Sequence, residues 1–406
     1  MIRSGSICIS FLYNYLMSNN EVDDSVDENG KKFIKKATKL KCLSDTFQSY
    51  GGVLAKLSQI VCFDNENNSV FSDCKPYSRE KTIKYLKKEY EMTPELHDNI
   101  LSLNFEPFKS GSVGQVHKGV YKDGKDMILK VQYVGLKEQM ETDLYILDKL
   151  VTYLYTFANL THAMVDIKAK LNEELDYTLE YCNQQHIYDL WKDKENIKIA
   201  ELIPEISNEK MLGMYYIDAD SLPDFIEKAT QEERNNIGKL IIEFIFTNLY
   251  REGIFYSDIH YGNFLIKDKN ILYVMDFGCI HDIDKELLDG LIKIHRALLI
   301  DDTEEFYKII ENLGVIDTSI SSESKEYIYN YFKLQYEPWL TEDEFEFTDE
   351  WLEKAVHKEV DLMKEWFLPQ NMVYLNKMVY GLPHILTKLR LKGNFMSILK
   401  PLLNVE

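Results

Sequence analysis

The sequence predicts an α+β fold of two lobes, in which a small β-rich N-terminal lobe with inserted helices precedes a mostly helical C-terminal lobe. Residues 108–133 concentrate β-type side chains around the dipeptide Asp123-Gly124, which is a strong β-hairpin signal. A long apolar helical pattern begins near residue 230, and residues 284–406 have an almost entirely helical pattern. We therefore expect one compact β-rich region inside a largely helical chain.

Changes in composition divide the chain into four predicted parts. Residues 1–32 end in a polar, charged stretch and predict a flexible or targeting tail. Residues 33–104 have mainly helical patterns and predict an N-terminal helical extension. Residues 105–217 form the predicted N-lobe, and residues 218–406 form the predicted C-lobe.

Individual elements follow from local signals. Thr230 and Glu233 have the spacing of a capping box, and Gly253 closes the apolar pattern that follows, so a buried helix is expected between them. Further expected elements are helices over 80–104, 136–160 and 166–190 and strands over 211–217, 264–266 and 271–275.

Composition restricts the class of protein. The chain has 406 residues, is 45% hydrophobic and carries a formal charge of −20, which argues against general nucleic-acid binding. Its six cysteines form no CxxC pair and are typical of reduced thiols in an intracellular protein. There is no run of about 20 apolar residues, so no transmembrane helix is predicted. We expect an intracellular protein that is cytoplasmic or associated with an organelle or membrane.

The second half contains a pattern suited to phosphoryl transfer. Asp258 lies five residues before Asn263, and Asp276-Phe277-Gly278 follows an apolar strand-like run. Carboxylate and amide oxygens are suitable Mg²⁺ ligands, and a further Asp can orient an attacking hydroxyl or water. The combined pattern has the order of the protein-kinase catalytic loop and metal-binding Asp, so the predicted two-lobed fold is protein-kinase-like. The alternative is a β-hairpin whose Asp and Asn are turn residues.

The first half offers a matching phosphate loop. The segment from Lys109 to Val116 resembles GxGxxGxV, with Lys in place of the first Gly, and glycines let backbone N–H groups approach phosphates. An ordinary β-turn is the alternative. Lys130 follows within the apolar run MILKV, where a lone ammonium needs an anionic partner unless it lies exposed at an edge. The loop residues that we expect to bind nucleotide are Gly111, Ser112, Gly114, Gln115 and Val116.

A carboxylate for Lys130 is expected from the helix predicted over 166–190. Asp176, Glu180 and Asn183 have the spacing of one helix face. The face is either a solvated polar stripe or the source of a Glu180–Lys130 ion pair that holds Lys130 for the α- and β-phosphates.

At this point the chain resembles the ABC1/UbiB/coenzyme-Q8 (ADCK-like) atypical kinases over roughly residues 45–400. The segment Lys56-Leu57-Ser58-Gln59 is similar to the family's KxGQ motif, and KSGSVGQVH is similar to its Ala-rich phosphate loop. Glu174-Leu175-Asp176 resembles the ExD motif, and residues 256–263 resemble HxDxHPGN. Tyr256, Tyr261 and Ser58 depart from the family pattern, and Gly111 makes the phosphate loop closer to an ordinary Gly-rich loop.

The resemblance implies specific roles. It pairs Glu174 with Lys56 and Glu180 with Lys130. Because Gly111 departs from the Ala-rich family loop, we hypothesise that it gives this protein a more conventional nucleotide pose than its relatives have. The regulatory residues that the resemblance implies are Lys56, Gln59, Glu174 and Asp176, and the nucleotide-binding hinge that it implies is Met214, Tyr215, Tyr216 and Ile217.

The function predicted from these residues is that of a Mg-ATP-dependent atypical kinase or ATPase. Lys130, Glu180 and Asp258 are the expected catalytic residues, and Asn263 and Asp276 are the expected Mg²⁺ ligands. The cofactors are ATP or ADP and Mg²⁺. The resemblance implies a link to quinone or lipid metabolism, with lipid- or quinone-pathway proteins or a membrane surface as partners. The alternatives are a nucleotide-binding pseudokinase-like scaffold or switch and, ranked lower, a small-molecule kinase.

Overall fold

The computed structural model describes residues 79–111, 113–138, 140–142, 144–145, 175–316, 320–356 and 373–404. The tail predicted over 1–32 and most of the predicted helical extension lie outside these residues. The chain divides into two compact units, of which the first comprises Met1–Cys182 and Glu201–Tyr216, and the second Asn183–Ala200 and Ile217–Glu406. The predicted α+β class is confirmed.

Helices dominate the described elements. The α-helices are α1 (Arg79–Met92), α2 (Pro94–His97), α3 (Tyr177–Trp191), α4 (Leu222–Lys228), α5 (Gln231–Thr247), α6 (Lys285–Leu299), α7 (Thr303–Asn312), α8 (Ser322–Leu340), α9 (Asp349–Val356), α10 (Val373–Lys388) and α11 (Met396–Leu403). The strands are β1 (Ile100–Leu103), β2 (Lys109–Ser110), β3 (Gly114–Tyr121), β4 (Asp126–Gln132), β5 (Ile197–Ile199), β6 (Met211–Tyr215), β7 (Asp220–Ser221), β8 (Ile254–Tyr256), β9 (Phe264–Lys267), β10 (Ile271–Val274), β11 (Ile280–Asp282), β12 (Phe345–Glu346) and β13 (Lys392–Gly393).

The first unit is built on a five-stranded antiparallel sheet in the order β1-β3-β4-β6, with β2 paired to β3. The hairpin predicted at Asp123-Gly124 joins β3 to β4. Gly124 adopts φ 83°, which glycine reaches without the steric penalty of a side chain. The Asp123 carboxylate accepts a hydrogen bond of 2.9 Å from the Lys125 backbone N–H and fixes the turn.

The two faces of this sheet differ in chemistry. Met127, Leu129 and Val131 of β4 are fully buried and pack with Leu86 of α1 in a hydrophobic core. Side chains alternate along a strand, so Lys130 belongs to the opposite face. The alternation leaves a cation on one face of a sheet whose other face forms the core.

The helix predicted over 80–104 is wrong at its C-terminal end. Helices α1 and α2 occupy residues 79–97, but Ile100–Leu103 form strand β1, in which Ile100 pairs with Tyr121. The run Ile-Leu-Ser-Leu is too short for its periodicity to separate a helix from a strand. Residues 100–103 are a strand because they pair with β3, and this pairing is a long-range contact.

The helix predicted over 166–190 is also corrected within its described part. Helix α3 begins at Tyr177, and Asp176 lies just before it. The Asp176 carboxylate accepts hydrogen bonds from the Thr178 backbone N–H at 2.9 Å and from the Thr178 hydroxyl at 2.5 Å. An Asp that bonds a nearby backbone N–H favours a helix start over a helix interior.

The second unit contains a four-stranded sheet in the order β5-β10-β9-β7, in which β5 and β10 are parallel and the other pairs are antiparallel. The strands predicted at 264–266 and 271–275 are β9 and β10. Helix α5 is buried on most sides, as predicted, and begins with the predicted capping box of Thr230 and Glu233. A single π-helical turn, Asn248–Glu252, extends it to Gly253, which adopts φ 67°.

The C-terminal half packs its helices around aromatic side chains. Trp339 of α8 lies against Phe246 of α5, and Phe347 and Phe395 extend the same cluster. Within the described residues of 284–404, the prediction of an almost wholly helical region is confirmed except for the two-residue strands β12 and β13, which pair with each other. Among the helices of the described ranges, none combines the length and the apolarity that a membrane span requires.

Candidate functional site

Lys130 and Glu180 form a close ion pair within the first unit. Strand β4 carries Lys130 on the face away from the core, and the first turn of α3 carries Glu180. The Lys130 Nζ lies 2.7 Å from Glu180 Oε1 and 2.8 Å from Oε2, so the ammonium donates to both carboxylate oxygens. The side chains are only 19% and 6% exposed. Removing both charges from water is costly, and close two-oxygen contact offsets part of that cost.

Tyr177 is a further neighbour of Lys130. The Lys130 Nζ lies 4.9 Å from the centre of the Tyr177 ring, which is within the range of a cation–π interaction. Tyr177 itself is almost fully buried. Sequence reasoning did not select it, although it follows the Glu174-Leu175-Asp176 segment directly.

The glycines of the predicted phosphate loop have different surroundings. The Gly111 N–H donates to the Gly114 carbonyl at 2.8 Å and closes the β2–β3 turn. A Cβ built on Gly111 would meet only the Gly114 carbonyl at 3.8 Å, whereas one on Gly114 would lie 2.6 Å from the Val131 carbonyl oxygen. Gly114 is therefore required by packing, and Gly111 leaves open space. Ser112 lies outside the described residues.

Strand register separates two of the predicted nucleotide-binding residues. Val116 pairs with Lys130 and shares its face, whereas Gln115 pairs with Val131 and lies on the core face. The fully buried Gln115 amide nitrogen is 3.0 Å from His117 Nε2. The side chain of Gln115 is therefore on the other side of the sheet from Lys130.

His117 links this buried network to the loop before β2. Its Nδ1 lies 3.0 Å from the Asn104 carbonyl oxygen, to which the ring N–H donates. Burial lowers the pKa of His117, and the hydrogen bond to Asn104 only partly opposes that shift. The neutral ring then accepts a hydrogen bond from Gln115 at Nε2. Gln115 and His117 of the Gln-Val-His segment therefore stabilise the core face of the sheet.

The four residues of the predicted nucleotide-binding hinge also differ in position. Met214 of β6 pairs with Ile128 and lies on the Lys130 face. Tyr215 pairs with Met127 on the opposite face, and its hydroxyl donates to the Asp123 carboxylate at 2.9 Å. Tyr216 is the last residue of the first unit, and its ring centre lies 4.0 Å from Lys118 Nζ. Ile217 begins the second unit.

In the second unit, the predicted catalytic loop of residues 258–263 is held by its own side chains. The Asn263 amide nitrogen donates to the Asp258 backbone carbonyl at 2.9 Å and to the Asp258 carboxylate at 3.0 Å. The His260 Nδ1 accepts from the Gly262 N–H at 3.0 Å and caps the short turn Tyr261–Asn263. Because Asp258 engages the Asn263 nitrogen, the amide oxygen of Asn263 is the atom left for a cation.

The segment before Asp276 is fixed from two sides. The Met275 N–H donates to the Asn263 carbonyl at 2.8 Å, and the Tyr256 hydroxyl donates to the Met275 carbonyl at 2.8 Å. Asp276 adopts φ 61°, in the left-handed region that non-glycine residues seldom occupy. Such backbone strain is characteristic of functional positions and requires support from the surrounding structure.

Tyr256 is compatible with this arrangement, although it departs from the sequence pattern. Its ring lies edge-on to Phe277 with centroids 5.9 Å apart, and it is 3% exposed. Burial, reinforced by the charges of Asp258 and Asp276, raises its pKa well above that of an ordinary tyrosine. The phenol therefore stays protonated and neutral, and it acts as a hydrogen-bond donor beside both carboxylates.

Asn183 is a further supporting residue that the prediction placed on the polar stripe but not in the site. Its amide donates to the Phe277 carbonyl at 3.0 Å, so it holds the segment after Asp276. The predicted residues Lys56, Gln59 and Glu174 lie outside the described residues. Asp176 is described, and its contacts are those of the helix start given above.

Comparison with known proteins identifies the family to which these features correspond. The family model described as "ABC1 atypical kinase-like domain" matches residues 69–310. The predicted protein-kinase-like α+β fold is confirmed by this match. The match includes Lys130, Glu180 and the segment from Asp258 to Asp276.

Curated relatives are more distant. A "Probable serine/threonine-protein kinase abkB" of Dictyostelium discoideum is 26% identical over 79% of this chain and 52% of its own length. The "Atypical kinase COQ8, mitochondrial" of Saccharomyces cerevisiae is 24% identical over 75% of this chain and 63% of its own length. An uncharacterised Clostridium pasteurianum protein is 29% identical over 59% of this chain and 47% of its own. The chain thus spans about half the length of several curated relatives.

A solved structure has the same fold. The Mycobacterium tuberculosis protein Rv3197, solved in complex with erythromycin, superposes with a TM-score of 0.68 over 93% of this chain and 98% of its own, at 21% identity.

Proposed function

Because the chain belongs to the ABC1 atypical kinase-like family, we propose that it binds a magnesium–adenine nucleotide and acts as an atypical kinase or ATPase. The observation that carries this proposal is the Lys130–Glu180 pair, with 2.7 and 2.8 Å contacts between side chains largely removed from water. A buried ion pair contributes little to stability, so its presence on a sheet face favours a role in ligand binding.

Each group of the first unit has one role in the proposal. Lys130 binds the α- and β-phosphates, and Glu180 fixes the position of its ammonium. The turn from Gly111 to Gly114 brings backbone N–H groups near the phosphates. Val116 and Met214 lie on the Lys130 face and contact the base, whereas the side chains of Gln115 and Tyr215 belong to the scaffold.

The second unit has donors that fit Mg²⁺. The Asn263 amide oxygen and the Asp276 carboxylate are hard oxygen ligands of the kind that this ion prefers. When bound, the metal neutralises charge on the phosphates. Asp258 orients the hydroxyl or water that attacks, and its carboxylate is held by Asn263. Tyr256 keeps Met275 in place by donating to its carbonyl.

The wider biological role in this proposal rests on relatives. The yeast kinase COQ8 is named as a mitochondrial protein, and an Arabidopsis thaliana protein called "ACTIVITY OF BC1 COMPLEX KINASE 8" is named as chloroplastic. We extend this to an intracellular, organelle-associated role in quinone or lipid metabolism, with lipids, pathway proteins or a membrane surface as partners. No APE-like segment follows Gly278, which favours a small-molecule or lipid acceptor over a protein.

A thermal-shift series with ATP and Mg²⁺ tests nucleotide binding. Wild-type protein is expected to gain several degrees in Tm with saturating Mg-ATP, because a ligand that binds only the folded state stabilises it. Lys130→Ala is expected to lose most of that gain. Lys122→Ala is the matched control, since Lys122 is an exposed lysine of the same unit. An equal gain in wild type and Lys130→Ala contradicts the proposed site.

ADP release separates an enzyme from a nucleotide-binding scaffold. Wild-type protein is expected to release ADP from ATP above the background of Asp276→Asn. Equal background in the two proteins, together with retained nucleotide binding, would assign the chain to the scaffold alternative.

A further inference from the structure

Helix α10 approaches the catalytic loop at backbone distance. A Cβ built on Gly381 would lie 2.8 Å from the Ile259 carbonyl oxygen and 3.3 Å from the Ile259 Cβ. Contacts shorter than about 3 Å are not compatible with carbon packing, so only glycine allows this approach without movement of one of the two segments. Ile259 is the residue that directly follows Asp258, and it is largely buried.

A second contact joins the same two segments. The Tyr261 hydroxyl donates to the His384 backbone carbonyl of α10 at 3.2 Å. Gly381 and His384 are three residues apart and therefore lie on one side of the helix. The helix thus contacts the catalytic loop both before and after His260.

Helix α10 is itself firmly anchored near these contacts. Leu382, Ile385 and Leu386 are at most 1% exposed and belong to the main hydrophobic core of the second unit. The loop that it contacts has bonds between Asn263 and Asp258 and between Gly262 and His260, and the Met275 N–H donates to its Asn263 carbonyl. A helix that is anchored in the core can fix the position of a loop backbone that it contacts.

We propose that helix α10 positions the catalytic loop, with Gly381 and Tyr261 as positioning residues that set the placement of Asp258 and Asn263. The helix lies beyond residues 69–310, which the family model matches. The proposed consequence for metal-dependent nucleotide binding rests on the proposed function, whereas the placement of the loop does not.

Two variants test this proposal independently. Gly381→Ala places a methyl group against the Ile259 carbonyl, and Tyr261→Phe removes only the hydroxyl that reaches His384. Gly290→Ala is the matched control. It also adds a methyl group inside a helix of the same unit, where the nearest atom is the flexible end of Leu313 at 2.9 Å.

The first readout is amide hydrogen exchange in residues 258–263. Exchange is expected to accelerate there about tenfold in Gly381→Ala and about fivefold in Tyr261→Phe, the latter from loss of one partly buried hydrogen bond. Gly290→Ala is expected to leave exchange in this segment at the wild-type rate. Wild-type exchange in both test variants would overturn the proposal, as would an equal increase in the control.

The second readout is the Mg²⁺ concentration that gives half of the nucleotide-induced thermal shift. It is expected to rise about tenfold in Gly381→Ala, since a displacement near 1 Å has large effects on positioned groups. Tyr261→Phe is expected to show a smaller rise and Gly290→Ala none. If wild-type protein binds nucleotide and both test variants require the same Mg²⁺ concentration as wild type, the proposed role of α10 is overturned.

Failure of the proposed nucleotide binding can be distinguished from failure of the proposed role of α10. If wild-type protein binds no nucleotide, the proposed function fails, and hydrogen exchange alone decides the role of α10. If Gly381→Ala does not fold, Tyr261→Phe carries both readouts, and wild-type values in that variant overturn the proposal.

Discussion

At the scale of single residues, the buried ion pair of Lys130 and Glu180 is expected to be sensitive to substitution of either partner. Glu180 is 6% exposed, so its carboxylate depends on Lys130 for compensation, and the lysine depends on it in turn. Breaking a buried pair by changing one partner leaves an uncompensated charge, whereas changing both partners to apolar residues is often neutral.

Glu180→Gln is therefore expected to lower the free energy of unfolding by about 3 kcal/mol, because the Lys130 ammonium loses its close contacts with this carboxylate. The double variant Lys130→Met, Glu180→Leu is expected to recover most of that stability without recovering nucleotide binding. Urea unfolding measures the first quantity and a Mg-ATP thermal shift the second. A double variant that bound nucleotide like wild type would contradict the role assigned to the pair.

His295 predicts a pH dependence of stability. It is fully buried, with Nε2 at 3.0 Å from the Trp339 carbonyl and Nδ1 at 3.2 Å from the Tyr250 hydroxyl. Burial lowers its pKa from 6.5 to about 4. As pH falls below 6.5, the unfolded chain binds a proton at His295 while the folded protein does not. The free energy of unfolding is therefore unaffected by His295 above pH 6.5 and decreases as pH falls from 6.5 towards 4.

The expected loss over that range is about 3 kcal/mol, from 1.36 kcal/mol per pKa unit. Urea unfolding of wild type and His295→Gln at pH 7 and pH 4.5 measures it, since Gln can still donate to the Trp339 carbonyl but does not titrate. Equal pH dependence in the two proteins would show that His295 is not responsible.

At the scale of elements, the β2–β3 turn and strand β4 offer a matched pair of glycine variants. Gly114→Ala places a Cβ 2.6 Å from the Val131 carbonyl oxygen and 2.7 Å from the Tyr177 hydroxyl. We expect this variant to lose about 2 kcal/mol of stability from overpacking. Gly111→Ala has open space and a negative φ, so its stability is expected to match that of wild type.

Because Gly111→Ala preserves the fold, it tests whether Gly111 sets the nucleotide pose. Its affinities for ATP and ADP are expected to differ from those of wild type, and calorimetric titration with both nucleotides measures them. Identical ATP and ADP affinities in the two proteins would remove Gly111 from the determinants of nucleotide selectivity. Gly114→Ala does not serve this purpose, since its backbone must shift.

The predictability of elements varied with the range of the contacts that decide them. The α5 capping box and the Asp123-Gly124 hairpin depend on neighbouring residues, and both were predicted. Strand β1 depends on pairing with β3, and the start of α3 depends on which backbone N–H the Asp176 carboxylate bonds. Neither follows from local periodicity, which explains why both were missed.

The same distinction applies to the candidate site. Residue types and spacing indicated Lys130, Glu180, Asp258, Asn263 and Asp276. The sheet face on which Gln115 lies could be assigned only from the β3–β4 register. That Tyr256 fits the site, although it departs from the family pattern, follows only from its hydrogen bond to Met275, 19 residues along the chain. The approach of Gly381 to Ile259 joins residues more than 100 positions apart, and no local pattern signals it.

At the scale of the whole molecule, each of the two compact units carries its own group of candidate site residues. The first carries the ammonium and glycine turn suited to phosphates, and the second carries the amide and carboxylate oxygens suited to Mg²⁺. The chain is strongly acidic, with a formal charge of −20, so the proposed binding of an anionic nucleotide would depend on local cations such as Lys130 and a metal ion. Mg²⁺-dependent nucleotide binding is thus the property on which the proposed function depends.

Calorimetric titration of ATP with and without Mg²⁺, in wild type and Asp276→Asn, tests this property most directly. Asn tolerates the left-handed backbone that Asp276 adopts at φ 61°, so the variant removes charge without adding strain. We expect Mg²⁺ to strengthen ATP binding to wild type about tenfold or more, and to give little gain in Asp276→Asn at unchanged Tm. Equal affinities with and without Mg²⁺ in wild type, or an equal Mg²⁺ effect in both proteins, would contradict the proposed function.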